Sequence, residues 1–342
     1  MNPDRFQEIA QKYNSLRIAV IGDFCLDRYL EIDPARQEIS IETGLPVHNV
    51  VNVRSQPGGA GTILNNLVAL GIGRIYPVGF CGEDGEGFEL QRALSGKSGV
   101  CADYFCQTPL RRTFTYCKPL LIHSGKPPEE LNRLDSKNWT PTPALVQGRI
   151  MDAVLKLADV NAFILLDQVD APETGVVTQR VLERVNAVSK NRPELFVVAD
   201  SRRGLRDFPP VTFKMNAAEL SALTGSGQHP PLDELKTIAA TLARKQGRSV
   251  FVTLSERGIL GASPDGSVEH VSSLPVRGPI DIVGAGDAVT ASLTAALAAG
   301  ATVREAMEIA MAAASIVIHQ LGTTGTATGS QIYSLLESGD RV

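Results

Sequence analysis

One segment, Asp281-Ile-Val-Gly-Ala-Gly-Asp287, combines small residues with two carboxylates in a pattern suited to phosphoryl transfer. It leads into Ala288-Val-Thr-Ala-Ser-Leu-Thr-Ala-Ala-Leu-Ala-Ala-Gly300, an Ala/Leu-rich helical run closed by Gly. Gly284, Ala285 and Gly286 therefore sit in the turn that opens a helix. Bare backbone N–H groups at such a turn can hold an anion, and the helix dipole favours negative charge there. Asp287 falls in the first turn beside them. A carboxylate at that place can take the proton of a hydroxyl as it attacks a phosphoryl group. An acid after a Gly turn is also an ordinary helix start, so these residues alone leave both readings open.

Three further segments carry polar chemistry. Pro57-Gly58-Gly59-Ala-Gly-Thr62 again puts glycines ahead of a helical run, Ile63 to Leu70. Gly22-Asp-Phe-Cys-Leu-Asp27-Arg28 places two acids just past an apolar strand, where they could bond sugar hydroxyls. In Lys214-Met-Asn216-Ala-Ala-Glu219, Asn216 and Glu219 are three apart and share a helix face. They could hold Mg²⁺ through water. Each also has a structural reading, as a tight turn, a solvated loop or a helix cap. Two common nucleotide fingerprints are missing. Gln91 stands where a phosphate loop ending at Gly96-Lys97-Ser98 needs its first Gly, and no G-x-G-x-x-G follows the first strand.

The elements that must position these residues alternate along the 342-residue chain. Apolar, β-branched runs at Arg17–Gly22, Ala162–Asp167, Leu195–Asp200 and Ser249–Leu254 read as buried parallel strands. Helical stretches at about 144–159, 173–190 and 232–246 lie between the later ones. This alternation predicts an α/β fold, a sheet with helices on both faces. Asp167 and Asp200 close strands, and ligands bind at the carboxyl ends of such strands. Residues 31–54 and about 107–135 break the rhythm with β-like runs such as Leu45–Val53 and Arg112–Cys117. They read as a small β excursion, either a lid or a pair of surface hairpins.

Composition excludes whole classes. Lys plus Arg number 33 against 37 Asp plus Glu, so no basic excess points to nucleic acid or to an anionic membrane. Five cysteines without a C-x-x-C pair argue against a disulfide framework or zinc site, and fit a reducing cytoplasm. Met1 to Arg17 lacks the apolar run of a signal peptide. The uncharged stretch Ala288 to Val303 is shorter than the roughly 20 residues a membrane span needs.

In this order, the segments resemble the ribokinase/fructokinase (pfkB-type) carbohydrate kinase family. Asp281–Asp287 is similar to its D-T-x-G-A-G-D signature, Asn216–Glu219 to its N-x-x-E, and Val252-Thr-Leu-Ser-Glu-Arg-Gly258 to its V-T-x-G-x-x-G. The Gly58 segment resembles its N-terminal signature, and the likeness spans about residues 16 to 328. The heptose 7-phosphate kinase branch looks closest. Gly22-Asp-Phe-Cys-Leu-Asp-Arg-Tyr29, Glu38–Val47, Leu131-Asn-Arg-Leu-Asp135 and Leu321-Gly-Thr-Thr-Gly-Thr326 resemble its motifs.

The resemblance implies a ribokinase-like three-layer α/β/α sandwich with a mainly parallel central sheet and a β lid. It implies one kinase domain over residues 16–335, without the nucleotidyltransferase domain that often follows. The implied reaction moves the γ-phosphate of ATP to a sugar or sugar-phosphate hydroxyl, heptose 7-phosphate at C1 foremost. Fructose phosphates, ribose, nucleosides and a non-catalytic binding role are the alternatives. By resemblance, Asp287 is the base and Gly284, Ala285 and Gly286 are the anion hole. Asp27, Gly58, Gly59 and Thr62 meet the sugar. Asn216, Thr253, Ser255, Gly258 and Asp281 meet the nucleotide, while Asn216 and Glu219 serve Mg²⁺. A monovalent cation, a cytoplasmic location and a homodimer formed through the lid are also implied. Four positions depart from the pattern. Thr62 replaces an Asn, Val283 a Thr and Ser255 a Gly, and the Lys expected after the strand ending at Asp167 is missing from Asp167-Gln-Val-Asp-Ala-Pro172. A 7-phosphate would need cations, for which Arg111, Arg112, Lys118, Arg202 and Arg203 are candidates.

Overall fold

A computed structural model of the chain describes residues 1–227 and 230–338. The chain enters through α1 (Pro3–Ala10) and β1 (Arg17–Gly22), then runs out into β2 (Phe24–Ile32). Two short strands, β3 (Glu38–Ile39) and β4 (Pro46–Val47), precede β5 (Val50–Gly59). It returns through α2 (Ala60–Leu70), β6 (Arg74–Gly82), α3 (Gly85–Ser95) and β7 (Phe105–Thr108). A second excursion holds β8 (Phe114–Leu121), β9 (Glu129–Glu130) and β10 (Leu134–Ser136). Then come α4 (Ala144–Lys156), β11 (Ala162–Asp167), α5 (Gln179–Asn191), β12 (Phe196–Ser201) and β13 (Thr212–Asn216). The remainder is α6 (Ala217–Thr224), α7 (Leu232–Gln246), β14 (Val250–Thr253), β15 (Ile259–Ala262), β16 (Val268–Val271), α8 (Ala285–Ala298), α9 (Val303–Ile318) and α10 (Gly329–Glu337).

Nine strands form the larger sheet in the order β16-β15-β14-β13-β12-β11-β1-β6-β7. Neighbours from β14 to β7 pair in parallel, while β15 and β16 add antiparallel strands at one edge. Side chains alternate across the sheet. Ile18 and Val20 of β1 join the core shared by α1, α2, α8 and α9, while Ala19 and Ile21 join the core shared by α4, α5 and α7. Burial on both faces explains the continuous apolar strands and gives the expected three layers. The fold is α/β, with a mainly parallel sheet between two helix layers.

The smaller sheet has the order β10-β8-β2-β5, with β9 on β8. It begins earlier than the excursion read from sequence. Only Asp23 separates β1 from β2, so the chain passes from core sheet to small sheet at Phe24 rather than near residue 31. The expected helix over 173–190 also starts later, at Gln179. The backbone before it is spent elsewhere: Gln168 N–H and Val176 N–H donate to Asp23 at 2.8 and 2.7 Å, and Glu173 has φ 63°. Among the described residues no helix is long and apolar enough to cross a membrane.

Candidate active site

The turn before α8 is built by Asp281. Its N–H donates to Ile318 O at 2.8 Å, and its Oδ1 accepts from Val283 N–H at 3.0 Å. The chain then needs a left-handed residue, and Gly284 supplies it with φ 85° as the N-cap of α8. A Cβ at Gly284 would stand 2.6 Å from Thr324 Cγ2, and one at Gly286 would stand 3.2 Å from Lys214 Nζ. Ala285 N–H reaches Ile282 O at 3.2 Å. Gly286 and Asp287, at the second and third positions of α8, contribute helix-start N–H groups with no acceptor inside the helix. The glycine-led helix start expected from the sequence is present at this turn.

Beneath the turn lies a buried polar cluster. Lys214 Nζ is 2.8 Å from Asp200 Oδ2, and Thr290 Oγ1 donates to the same oxygen at 3.0 Å. Burial pushes the Asp287 carboxyl up to about 7; Asp200 adds to this, Lys214 opposes it, and Asp27 adds a little more. Burial works against a charged Lys214, but Asp200 outweighs it and holds the ammonium above its ordinary range. Asp287 therefore sits where a carboxylate can exchange a proton near neutral pH. Lys214 and Thr290 escaped the sequence reading. The available signal was a lysine inside the apolar strand Phe213-Lys214-Met215.

The residues expected to meet the sugar come from the smaller sheet and α2. Asp27 of β2 pairs in register with Gln56 of β5 and Tyr116 of β8. A Cβ at Gly58 would stand 2.6 Å from Asp27 Oδ2, so the Asp27 carboxylate lies against bare backbone. Gly59, with φ 57°, lets Ala60 N–H reach Asp23 O at 3.0 Å and starts α2. Thr62 is buried in the first turn of α2, with its Cγ2 3.6 Å from the point a Gly284 Cβ would take. The two glycine-led helix starts thus face each other across the site. Burial raises the Asp27 carboxyl, with Lys118 and then Arg133 opposing.

Of the residues expected to meet the nucleotide and its metal, Asn216 and Glu219 form a capping box for α6. Asn216 N–H donates to Glu219 Oε2 at 2.7 Å, and Glu219 N–H donates to Asn216 Oδ1 at 2.9 Å. The cap reading of N-x-x-E is therefore real, while Glu219 Oε1 takes no part in the box. Burial raises the Glu219 carboxyl, and Asp200 adds to this. Thr253 stands beside Asn216 in register and donates Oγ1 to Met215 O at 3.4 Å. Ser255, at φ 54°, and Gly258, at φ 90°, shape the turn from β14 to β15. Ser255 thus keeps the left-handed backbone although the family pattern has Gly there.

The proposed phosphate cations separate. Arg111 is buried and consumed by Thr140 O, Thr142 Oγ1 and Thr174 O. Arg203 Nη2 holds Asp167 Oδ2 at 2.7 Å. Arg112 is exposed, with its backbone N–H on Asn138 Oδ1. Lys118 lies over the Tyr29 ring and Arg202 lies near Asp170.

The description "pfkB family carbohydrate kinase" matches residues 153–328. The chain belongs to the pfkB carbohydrate kinase family. Carbohydrate kinases of this family are phosphotransferases with an alcohol acceptor. This pfkB kinase is 30% identical over 308 residues to bifunctional protein HldE of Gluconobacter oxydans (strain 621H), covering 90% of this chain and 62% of the relative. HldE of Pelobacter propionicus is 31% identical over 337 residues, covering 96% and 66%. The chain thus spans less than two thirds of the length of the curated relatives it matches. Among solved structures it is similar to Arabidopsis thaliana ribokinase complexed with ribose and ATP, with TM-score 0.69, 20% identity and coverage of 94% and 99%. Phosphofructokinase-2 from Escherichia coli in complex with substrates and products gives TM-score 0.74 and 19% identity, covering 95% and 100%. At these identities the likeness concerns the fold.

Proposed function

We propose that this sugar kinase transfers the γ-phosphoryl group of ATP to a sugar phosphate, with heptose 7-phosphate, phosphorylated at C1, as its preferred acceptor. The observation that carries the reading is the Asp287 carboxyl in the first turn of α8, beside the glycine-led helix start that packs over Lys214. Asp287 takes the proton of the attacking hydroxyl. The N–H groups at the start of α8 receive charge on the transferring phosphoryl group, and Lys214 beneath them adds a fixed positive field. Asp27 and the Gly58–Gly59 backbone orient the sugar.

Mg²⁺ supplies charge neutralisation on the nucleotide phosphates. Glu219, with Asn216 beside it, would hold the ion through water. Glu219 and the nearby Asp200 are an all-oxygen donor set that fits this ion. Among the described residues no three His, Cys, Asp or Glu side chains gather into a metal cage. The smaller sheet acts as a lid that keeps water from the nucleotide. Its exposed Val51 and Leu134, with the exposed Ile39, Ile41 and Leu45 of the separate β3–β4 pair, suit burial against a second copy, and a monomeric mass in solution would contradict that dimer. Five unpaired cysteines suit a cytoplasmic setting.

The test is ADP release from Mg-ATP against heptose 7-phosphate, fructose phosphates, ribose, fructose and nucleosides. Preference for the heptose phosphate supports the assignment. Preference for another sugar overturns it and leaves the kinase. Silence across the panel, with sugars still raising the melting temperature, points to a binding protein instead.

A further inference from the structure

Trp139 is the single tryptophan of the chain, and 71% of its surface is exposed. A large aromatic side chain held in water is unfavourable unless something comes to cover it. Its backbone is not loose. On one side, Asn138 Nδ2 donates to Arg112 O at 2.9 Å and Arg112 N–H donates to Asn138 Oδ1 at 3.0 Å. On the other, Arg111 Nη2 donates to Thr140 O at 2.6 Å and Arg111 Nη1 to Thr140 Oγ1 at 3.1 Å. Both neighbours of Trp139 are clamped, so the fold presents the indole at a fixed place. A surface ordered in advance loses little freedom when a ligand arrives.

Trp139 borders a cleft that it shares with Cys25, Phe114 and Tyr116. Cys25 of β2 pairs in register with Phe114 of β8, and Asp27 pairs with Tyr116. Strand residues two apart share a face, so these side chains lie on the face that carries Asp27. Gln168, Val169 and Ala171, from the loop after β11, complete the cleft, whereas Gly284 and Asp287 are not among its walls. Two charged groups flank the indole, but Lys137 Nζ and Asp170 Oδ2 pair with each other at 2.7 Å. What the rim offers beside that pair is an aromatic plane.

A sugar carries hydroxyls along its edges and C–H groups on its faces. A carboxylate such as Asp27 suits the first, and an aromatic plane suits the second. We infer that Trp139 sets acceptor specificity by covering the carbon surface of the sugar at the part remote from its reacting hydroxyl. The inference rests on the reading of Asp27 as the sugar-side carboxylate and of Asp287 as the base. Six- and seven-carbon acceptors extend further from the reacting end than a five-carbon sugar and bring more C–H surface to cover. The indole therefore selects by carbon length.

The experiment uses the tryptophan as its own reporter. With no second tryptophan in the chain, emission excited beyond the tyrosine band reads this position alone. Heptose 7-phosphate, fructose 6-phosphate and ribose 5-phosphate are titrated without ATP; all three carry one phosphate and differ in carbon number. The two longer sugars are expected to give a saturable shift to shorter wavelength, ribose 5-phosphate a smaller one, and Mg-ATP alone none. Trp139→Ala is expected to raise KM for fructose 6-phosphate about 10-fold or more and to shrink its kcat/KM advantage over ribose 5-phosphate. KM for ATP stays within about 2-fold, Trp139→Phe recovers most of the loss, and the melting temperature without ligand holds because the side chain is exposed. Turnover of an acceptor with unchanged emission overturns the inference while the kinase stands. A sugar-induced shift without turnover supports it even where the catalytic reading fails. A shift that follows protein concentration alone gives the indole to a contact between copies and overturns the inference. Silence toward all three sugars, or an unchanged KM in Trp139→Ala, overturns it as well.

Discussion

Lys214 Nζ and Asp200 Oδ2 stand 2.8 Å apart under the turn that carries Asp287, both withdrawn from solvent. Removing one partner of such a pair strands the other charge, which costs about 3 kcal/mol or more. Lys214→Met is therefore expected to lose at least about 3 kcal/mol in chemical denaturation. It should also raise the Asp287 carboxyl further, moving the acid limb of kcat/KM to higher pH. A stability change within about 0.5 kcal/mol, the range of an ordinary surface substitution, would show that the pair is not sealed as described.

Asp287 sets a pH window. Its carboxyl rises from the model-compound value 3.8 to about 7. The folded chain binds this proton more tightly than the unfolded chain does, so stability is highest below 3.8 in this respect and falls as pH climbs toward 7. Activity runs the other way, because only the ionised form accepts a proton. The free-enzyme kcat/KM profile should rise with an apparent pKa near 7. Asp287→Asn should lose this contribution and melt higher than wild type at pH 8. An acid limb near 4 would contradict the assignment.

Substitution at Gly58 tests whether sugar binding and nucleotide binding separate as proposed. A methyl group there would stand 2.6 Å from Asp27 Oδ2 and force the carboxylate aside. Gly58→Ala should raise KM for the sugar about 10-fold or more while KM for ATP stays within about 2-fold, because a polar site set wrongly discriminates strongly. Initial-rate kinetics with each substrate varied will check this. Equal rises in both constants would place Gly58 in general packing instead.

Ser255 holds φ 54° without being glycine. A left-handed L-residue costs roughly 1–2 kcal/mol, partly offset by the flexibility glycine adds to the unfolded chain. Ser255→Gly should therefore stabilise the protein by up to about 1 kcal/mol. Thermal denaturation at neutral pH tests this, and a clear loss of stability would mean that the serine side chain contributes a contact of its own.

Much of this architecture is legible in the chain. The strands at Arg17–Gly22 and Ala162–Asp167 are buried on both faces, so their apolar runs carry a clean signal. The glycine-led turns before α2 and α8 are legible because only small residues tolerate those backbones and close approaches. The loop 168–178 is misread because its backbone donors serve Asp23, a partner 145 residues away from Gln168 that no local pattern reveals. Lys214 is hidden for the same reason, since its partner Asp200 lies on the neighbouring strand. Asn216 and Glu219 show the opposite problem: one short pattern reads both as a helix cap and as a nucleotide or metal site, and the cap is the part the structure shows. Arg111 looks like a phosphate ligand in sequence, yet its guanidinium is buried against backbone carbonyls.

The most direct measurement is kcat of wild type and Asp287→Asn with the best sugar from the panel, alongside ATP affinity by calorimetry. Removing a general base costs about 10²- to 10⁴-fold. A fall of that size with ATP affinity within about 2-fold is the predicted result, because the interaction lost belongs to the transition state. Turnover by Asp287→Asn equal to wild type would contradict the account at its centre.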